Sequence, residues 1–300
     1  MAISTRIYNE QALSMLNRIT GDIQDVQSRI ATGKNVLKAS DNPAVSTKIS
    51  FSRDQKMMLE RFNANIGVAT NRLEQAEVAI GTMVNVLQRT YELSIQARNG
   101  TNSPADLRVI GVEISNLRDQ ILSLSNSQDS NGNYLFAGYR VGEKPFVEDA
   151  DGVVNHKGDA GIHTVQISKN QRIATGLDGA DVFLRVPYDK GVTSIFKTLD
   201  SMVENLNTGS FDETYINQMN EAIEHFSLQQ TRIGSQVNRA SLQQDVNDSR
   251  LKLMEEDISN LEDADIAKLV TDLQSKLVSR NAAQQAFVKI SQDSLFDYLR

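Results

Sequence analysis

The side chains able to do chemistry are few and poorly spaced for it. The three histidines are His156, His163 and His225, and no two stand at a metal-ligand spacing. There is no cysteine, so disulfides and thiolate metal sites are both excluded, while the compartment stays open. His156 and His163 share a segment with Asp149, Asp151 and Asp159. That grouping would hold at most a fortuitous cation, and exposed turn and strand residues are the simpler reading. Asp149-Ala150-Asp151-Gly152 superficially matches a calcium loop, but its glycine falls two positions early and no glutamate follows at the required distance. Asp-Gly between two extended runs instead predicts a tight hairpin turn. Asn99-Gly100-Thr101 and Asn247-Asp248-Ser249 fit the glycosylation sequon, a pattern short enough to arise by chance. Phosphate-binding glycine loops, nucleophile elbows and zinc-protease motifs are all missing from the sequence. The expectation is a protein with no catalytic residue, no cofactor and no metal, hence not an enzyme.

Composition agrees with that. The chain has 300 residues, 40% of them apolar, yet no Trp and only 6% aromatics. This is the usage of long helices packed through aliphatic seams. A net charge of −7, a pI near 5.1 and no basic run disfavour nucleic acid or an anionic membrane surface as partner. No apolar run is long enough to span a bilayer. The first thirty residues lack the charged and apolar regions of a signal peptide, which taken alone points to the cytoplasm.

The elements follow from apolar spacing. Ala12, Leu16, Ile19, Ile23, Val26 and Ile30 form a heptad seam, and Gly33 offers a left-handed cap after it. A second helix begins with Asn42 as cap and Pro43 in the first turn. Its seam runs Leu59, Phe62, Ile66, Ala69, Leu73, Ala76, Ile80, Met83 and Leu87, continuing through Ser94 and Ala97. Asn99-Gly100 ends it. Ser103, Pro104 and Asp106 open a third helix, along Leu107, Ile110, Ile114, Leu117, Ile121 and Leu124.

Residues 132–191 read differently. They hold nine of the seventeen glycines and two of the four prolines. Alternation over His163–Ile167 and Asp181–Val186 predicts short strands there. Helical spacing returns at Ile195, Leu199 and Val203, breaks at Asn207-Thr208-Gly209, and resumes at Ile216, Met219, Ile223 and Phe226. A last helix covers about Ala264 to Leu299. The fold expected is therefore mainly α, a long antiparallel helical bundle or coiled coil built from both ends of the chain. A small β-rich domain is inserted in it. The expected division is 1–40 with 265–300 as a terminal helical assembly domain, 41–131 with 192–264 as the helical bundle, and 132–191 as the insertion.

The terminal helices are the least self-sufficient. The heptad through Ile266, Val270, Leu273 and Leu277 continues as Arg280, Gln284, Phe287, Ser291, Ser294 and Tyr298, four of these ten being polar. Leu269, Ala283, Ala286, Ile290 and Leu295 lie beside that line. A broad apolar arc with an imperfect seam needs more than one neighbour, so these helices are expected to order on assembly. The candidate assembly interface is Leu16, Ile19, Ile23, Val26 and Ile30 in the first helix, with Val270, Leu273, Leu277, Phe287 and Ile290 in the last.

Five stretches then carry a resemblance. They are Ser28–Lys34 with Ala39–Ala44, Glu92–Thr101, Arg232–Arg239 and Ile258–Ala267. Together and in order, they resemble the flagellin family over roughly residues 1–145 and 190–300. Gly132–Gly138, Lys144–Phe146 and the ending Leu295–Arg300 are closer to the family's junction subunits than to its filament subunits. Filament flagellins also carry an Asn-Ser-Ala-Lys-Asp-Asp-like stretch where this chain has Leu37–Pro43. The resemblance implies a structural subunit of the bacterial flagellum, joining hook to filament and receiving flagellin. It implies passage through the flagellum's own export apparatus without signal cleavage, which overrides the cytoplasmic reading. It further implies assembly as a ring, with terminal helices innermost and the insertion outward. The partners implied are a second junction protein, flagellin and an export chaperone. Competing readings are the filament subunit itself, an adhesin that uses the insertion, and a cytoplasmic coiled-coil adaptor.

Overall fold

The computed structural model describes the backbone of residues 2–189 and 191–298, and within it the side chains of residue 7 and residues 10–189 and 191–289. The elements run α1 (Ala2–Thr32), α2 (Pro43–Ala97), α3 (Pro104–Ser125), β1 (Phe146–Glu148), β2 (Val154–His156), β3 (Thr164–Ser168) and β4 (Gln171–Ala174). They continue as α4 (Gly179–Phe183), β5 (Val186–Tyr188), β6 (Gly191–Thr193), α5 (Ile195–Asn207), α6 (Thr214–Glu262) and α7 (Ile266–Tyr298). The protein is mainly helical with a small central β region. It divides into two compact units, residues 1–58 with 250–300 and residues 59–249.

Local chemistry explains the helix ends. Gly33 adopts φ +69° directly after α1, a conformation that a Cβ would strain. The Asn42 side chain accepts from the Val45 amide at 3.2 Å, and Pro43 fills the first helical position, where no amide is needed. Ser103 and Asp106 form a reciprocal capping box at the start of α3.

In the unit of residues 59–249, the seam of α2 is dry: Phe62, Ile66, Ala69, Leu73, Ala76, Ile80, Met83 and Leu87 are all buried. Helix α3 packs on α5 through Leu107, Ile110, Ile114 and Ile121, while Leu117 and Leu124 are half-buried. The β region is three separate antiparallel hairpins, β1–β2, β3–β4 and β5–β6. Their apolar residues join the helical core, with no sheet of their own to bury. Phe183 is the centre, with ring centroids 5.2 Å from Phe136, 4.9 Å from Phe146 and 5.6 Å from Phe226, mostly edge-on.

The turn expected at Asp149–Gly152 is present. The Asp149 carboxylate accepts from the amides of Asp151 and Val153, and Gly152 takes φ +79°. The strand expected over Asp181–Val186 is not: residues 179–183 form α4, and only Val186 begins a strand. Asp178 caps α4 by accepting from the Ala180 amide, and Gly179 lies against the Phe136 carbonyl, closer than a Cβ allows. A cap and a close approach override an alternation of only six residues.

Candidate assembly interface

The sequence placed the interface on the terminal helices, and α1 does pack against α7. Both chain crossings beside this pair are tied together. The Asn35 amide donates to the Glu262 carbonyl at 2.7 Å, and the Ala264 amide donates to Gly33 at 2.9 Å, as an antiparallel bridge. Further along, Lys276 reaches Asp22 at 3.7 Å, which makes the two helices antiparallel.

Ile23 and Val26 are buried, and Leu16, Ile19 and Ile30 are half-buried. On α7, Leu273, Leu277 and Phe287 are half-buried as well, but Val270 is 38% exposed. Among the described side chains, the protected positions of α7 are Leu269, Leu273, Lys276, Leu277, Arg280, Ala283 and Phe287. Leu269 and Ala283 thus stand where the expected heptad puts Val270 and Gln284. Leu269, Leu273, Lys276, Arg280, Ala283 and Phe287 step 4, 3, 4, 3, 4, so the protected line is itself a heptad, in a register that shares Leu273, Arg280 and Phe287 with the expected one. The side chains of Ile290, Leu295 and Tyr298 lie outside the described residues.

This pair remains incompletely covered. Leu13, Met15 and Val278 are each more than half exposed, and Val288 is 53% exposed. The Nε of Arg280 is buried with no hydrogen-bond partner among the described residues.

Sequence reading missed the clasp at the root of the pair. Glu262 is 7% exposed, the most deeply buried carboxylate among the described residues of its unit. Its oxygens meet Arg53 at 2.6 and 2.7 Å and Lys34 at 2.5 Å. Burial alone would raise its pKa, but the hydrogen bonds from Lys34 and Arg53 outweigh that and hold it below the usual glutamate range. Lys56 and Glu255, at 2.7 Å, add an ion pair to the same α2–α6 contact. The available signal was the position of Lys34 and Glu262 next to helix ends; their pairing across the chain was not readable.

The residues weighed for chemistry are spent on structure. His156 lies against Phe146 and His163 against Tyr139, with ring centroids 4.9 and 4.6 Å apart. His225 donates from Nε2 to the Val182 carbonyl at 3.1 Å, and burial holds its pKa below the ordinary imidazole value. Asn247 is fully buried, and its amide donates to Asn63 Oδ1 and to the Ile167 carbonyl, so this sequon offers no free nitrogen. Arg118, buried on α3, is bound by Asp200 at 2.9 Å and Glu148 at 3.0 Å. Among the described residues no His, Asp and Glu cluster is placed to hold a metal, and no helix is long and apolar enough to cross a membrane.

Comparison with known proteins bears on what such a chain is. A family model described as the bacterial flagellin N-terminal helical region matches residues 3–140. Flagellar hook-associated protein 3 of Salmonella typhimurium is 24% identical over the whole of both chains. Flagellin of Bacillus subtilis is 28% identical over 95% of each. Among solved structures, the flagellar junction protein of Legionella pneumophila is similar with a TM-score of 0.63 at 17% identity, covering 72% of this chain and 100% of that one.

Proposed function

We propose that this chain is a flagellin-family protein, the structural subunit joining the flagellar hook to the filament and the adaptor on which flagellin polymerises. The observation that carries the reading is the end-to-end similarity to a hook-associated protein 3, with no part of either chain left over. It is a structural, non-enzymatic protein of the extracellular flagellum, and its partners are those of flagellar assembly. More finely, it meets a second junction protein on the hook side, flagellin on the filament side, copies of itself in a ring, and an export chaperone before secretion through the flagellar apparatus.

The terminal helices are the assembly domain in this reading. Leu16, Ile19, Ile23, Val26 and Ile30, with Val270, Leu273, Leu277, Phe287 and Ile290, make up its apolar surface. The exposed Leu13, Met15 and Val278 and the unpartnered Arg280 Nε support it, because isolated helices with uncovered apolar arcs gain most from neighbours.

The similarity to Bacillus subtilis flagellin favours a second reading, the filament subunit itself. Deleting the gene separates the two. A junction subunit leaves cells with bare hooks while flagellin accumulates unpolymerised in the medium. Long filaments built of this chain alone would overturn the junction reading, since a junction subunit meets unlike partners and does not stack indefinitely.

A further inference from the structure

The chain carries two Asn-Gly pairs, Asn99-Gly100 after α2 and Asn131-Gly132 after α3, and all four residues are exposed. Their backbones differ. The Gly132 amide donates to the Asp129 carbonyl at 2.9 Å, in a loop that the Asp129 carboxylate further pins through the amides of Asn131 and Asn133. The Gly100 amide donates to nothing among the described residues. Beside it, the Asn99 side-chain carbonyl accepts from the Thr101 amide at 3.3 Å. That bond folds the Asn99 side chain over the following peptide and polarises its carbonyl carbon, with the free Gly100 nitrogen as its neighbour.

We propose that Asn99 is a site of spontaneous modification by water, through attack of the Gly100 backbone nitrogen on its side-chain amide. The Gly100 nitrogen forms a bond to Cγ of Asn99, the Cγ–Nδ2 bond breaks, and ammonia leaves with the displaced amide proton. Water then opens the cyclic imide at either carbonyl. One opening gives aspartate; the other gives isoaspartate, with the main chain rerouted through Cβ. The Thr101 amide steadies the oxygen on which charge develops, as a donor aimed at an oxyanion does. Either product adds a carboxylate just past the C-terminus of α2, where the carbonyl ends already carry negative partial charge. The α2–α3 corner thereby records the age of each molecule.

Asn131 is the internal control, because its Gly132 amide must first give up a hydrogen bond, a loss that slows it by roughly fivefold. The test is to hold the full chain at mildly alkaline pH, then map peptides and label isoaspartate with an isoaspartyl methyltransferase. Asn99 should convert at least about fivefold faster than Asn131. In urea the two rates should converge. Gly100→Ala should remove the fast phase without unfolding the protein, since nothing lies within 4 Å of the added Cβ and Gly100 is not at positive φ. Equal rates in the folded chain, faster conversion at Asn131, or no conversion at Asn99 where the urea-unfolded chain converts would each overturn the proposal.

Discussion

The clasp at Glu262 should fail very unequally depending on which side of it is removed. Glu262 has a side chain only 9% exposed, whereas those of Lys34 and Arg53 are 45% and 49% exposed. In Glu262→Gln the two cations swing into water, and the carboxylate's own burial cost disappears with it. Half-exposed pairs are worth at most about 1 kcal/mol each, so the net loss should be about 1 kcal/mol. In the double variant Lys34→Met with Arg53→Met, the carboxylate stays buried without a cation, and the loss should be about 3–5 kcal/mol. The readout is hydrogen exchange at the Asn35 and Ala264 amides, whose bonds form the bridge itself. Exchange should quicken by roughly fivefold in the first variant and a hundredfold or more in the second. The pH dependence carries a fixed sign. Because the folded-state pKa of Glu262 is depressed, its contribution is fully present above the ordinary glutamate value and is lost as pH falls through the folded one. Protection of the two amides should therefore fall in acid, and Glu262→Gln should flatten that fall. Equal damage from both variants, or indifference of the two amides to either, would refute the electrostatic account of the clasp.

Two further predictions use the seams and the buried amide. Leu273→Asp should leave the melting of residues 59–249 unchanged while cells lose filaments, whereas Ile114→Asp, fully buried on α3, should lower the melting midpoint. The latter cost is at least the roughly 2–5 kcal/mol of truncating a core aliphatic, and comparing calorimetry with motility for both variants separates assembly surface from ordinary core. Asn247→Ala should cost about 1–3 kcal/mol in urea unfolding, because it orphans the buried Ile167 carbonyl and the Asn63 amide oxygen.

Much of this architecture was legible because its signals are local. Gly33, Asn42-Pro43 and Ser103-Pro104-Asp106 mark helix ends through groups a few residues apart, and the α2 seam is a repeat that tolerates little error. What failed was decided at a distance. Residues 181–186 alternate like a strand, but Asp178 and the Phe136 carbonyl settle the first three of them in α4. The line of α7 runs through Leu269, Lys276 and Ala283, because the alkyl stem of a lysine and a small methyl can fill seam positions that apolar spacing passes over. The Glu262 clasp joins residues separated by 209 positions from Arg53, and no spacing rule reaches that far.

That separation also orders events in time. The core of residues 59–249 is drawn from that stretch alone, so it can form while either end is still missing. The α1–α7 pair cannot: its first contact needs both ends of the chain, and closing a loop of that length is entropically costly until the intervening residues have folded and shortened it. Folding should therefore be sequential, with the middle of the chain condensing on local contacts and the ends docking last. For a chain delivered from its N-terminus, α1 is denied its partner until the final helix has emerged. The apolar face of α1 is thereby kept from closing early on its own chain, by chain length alone.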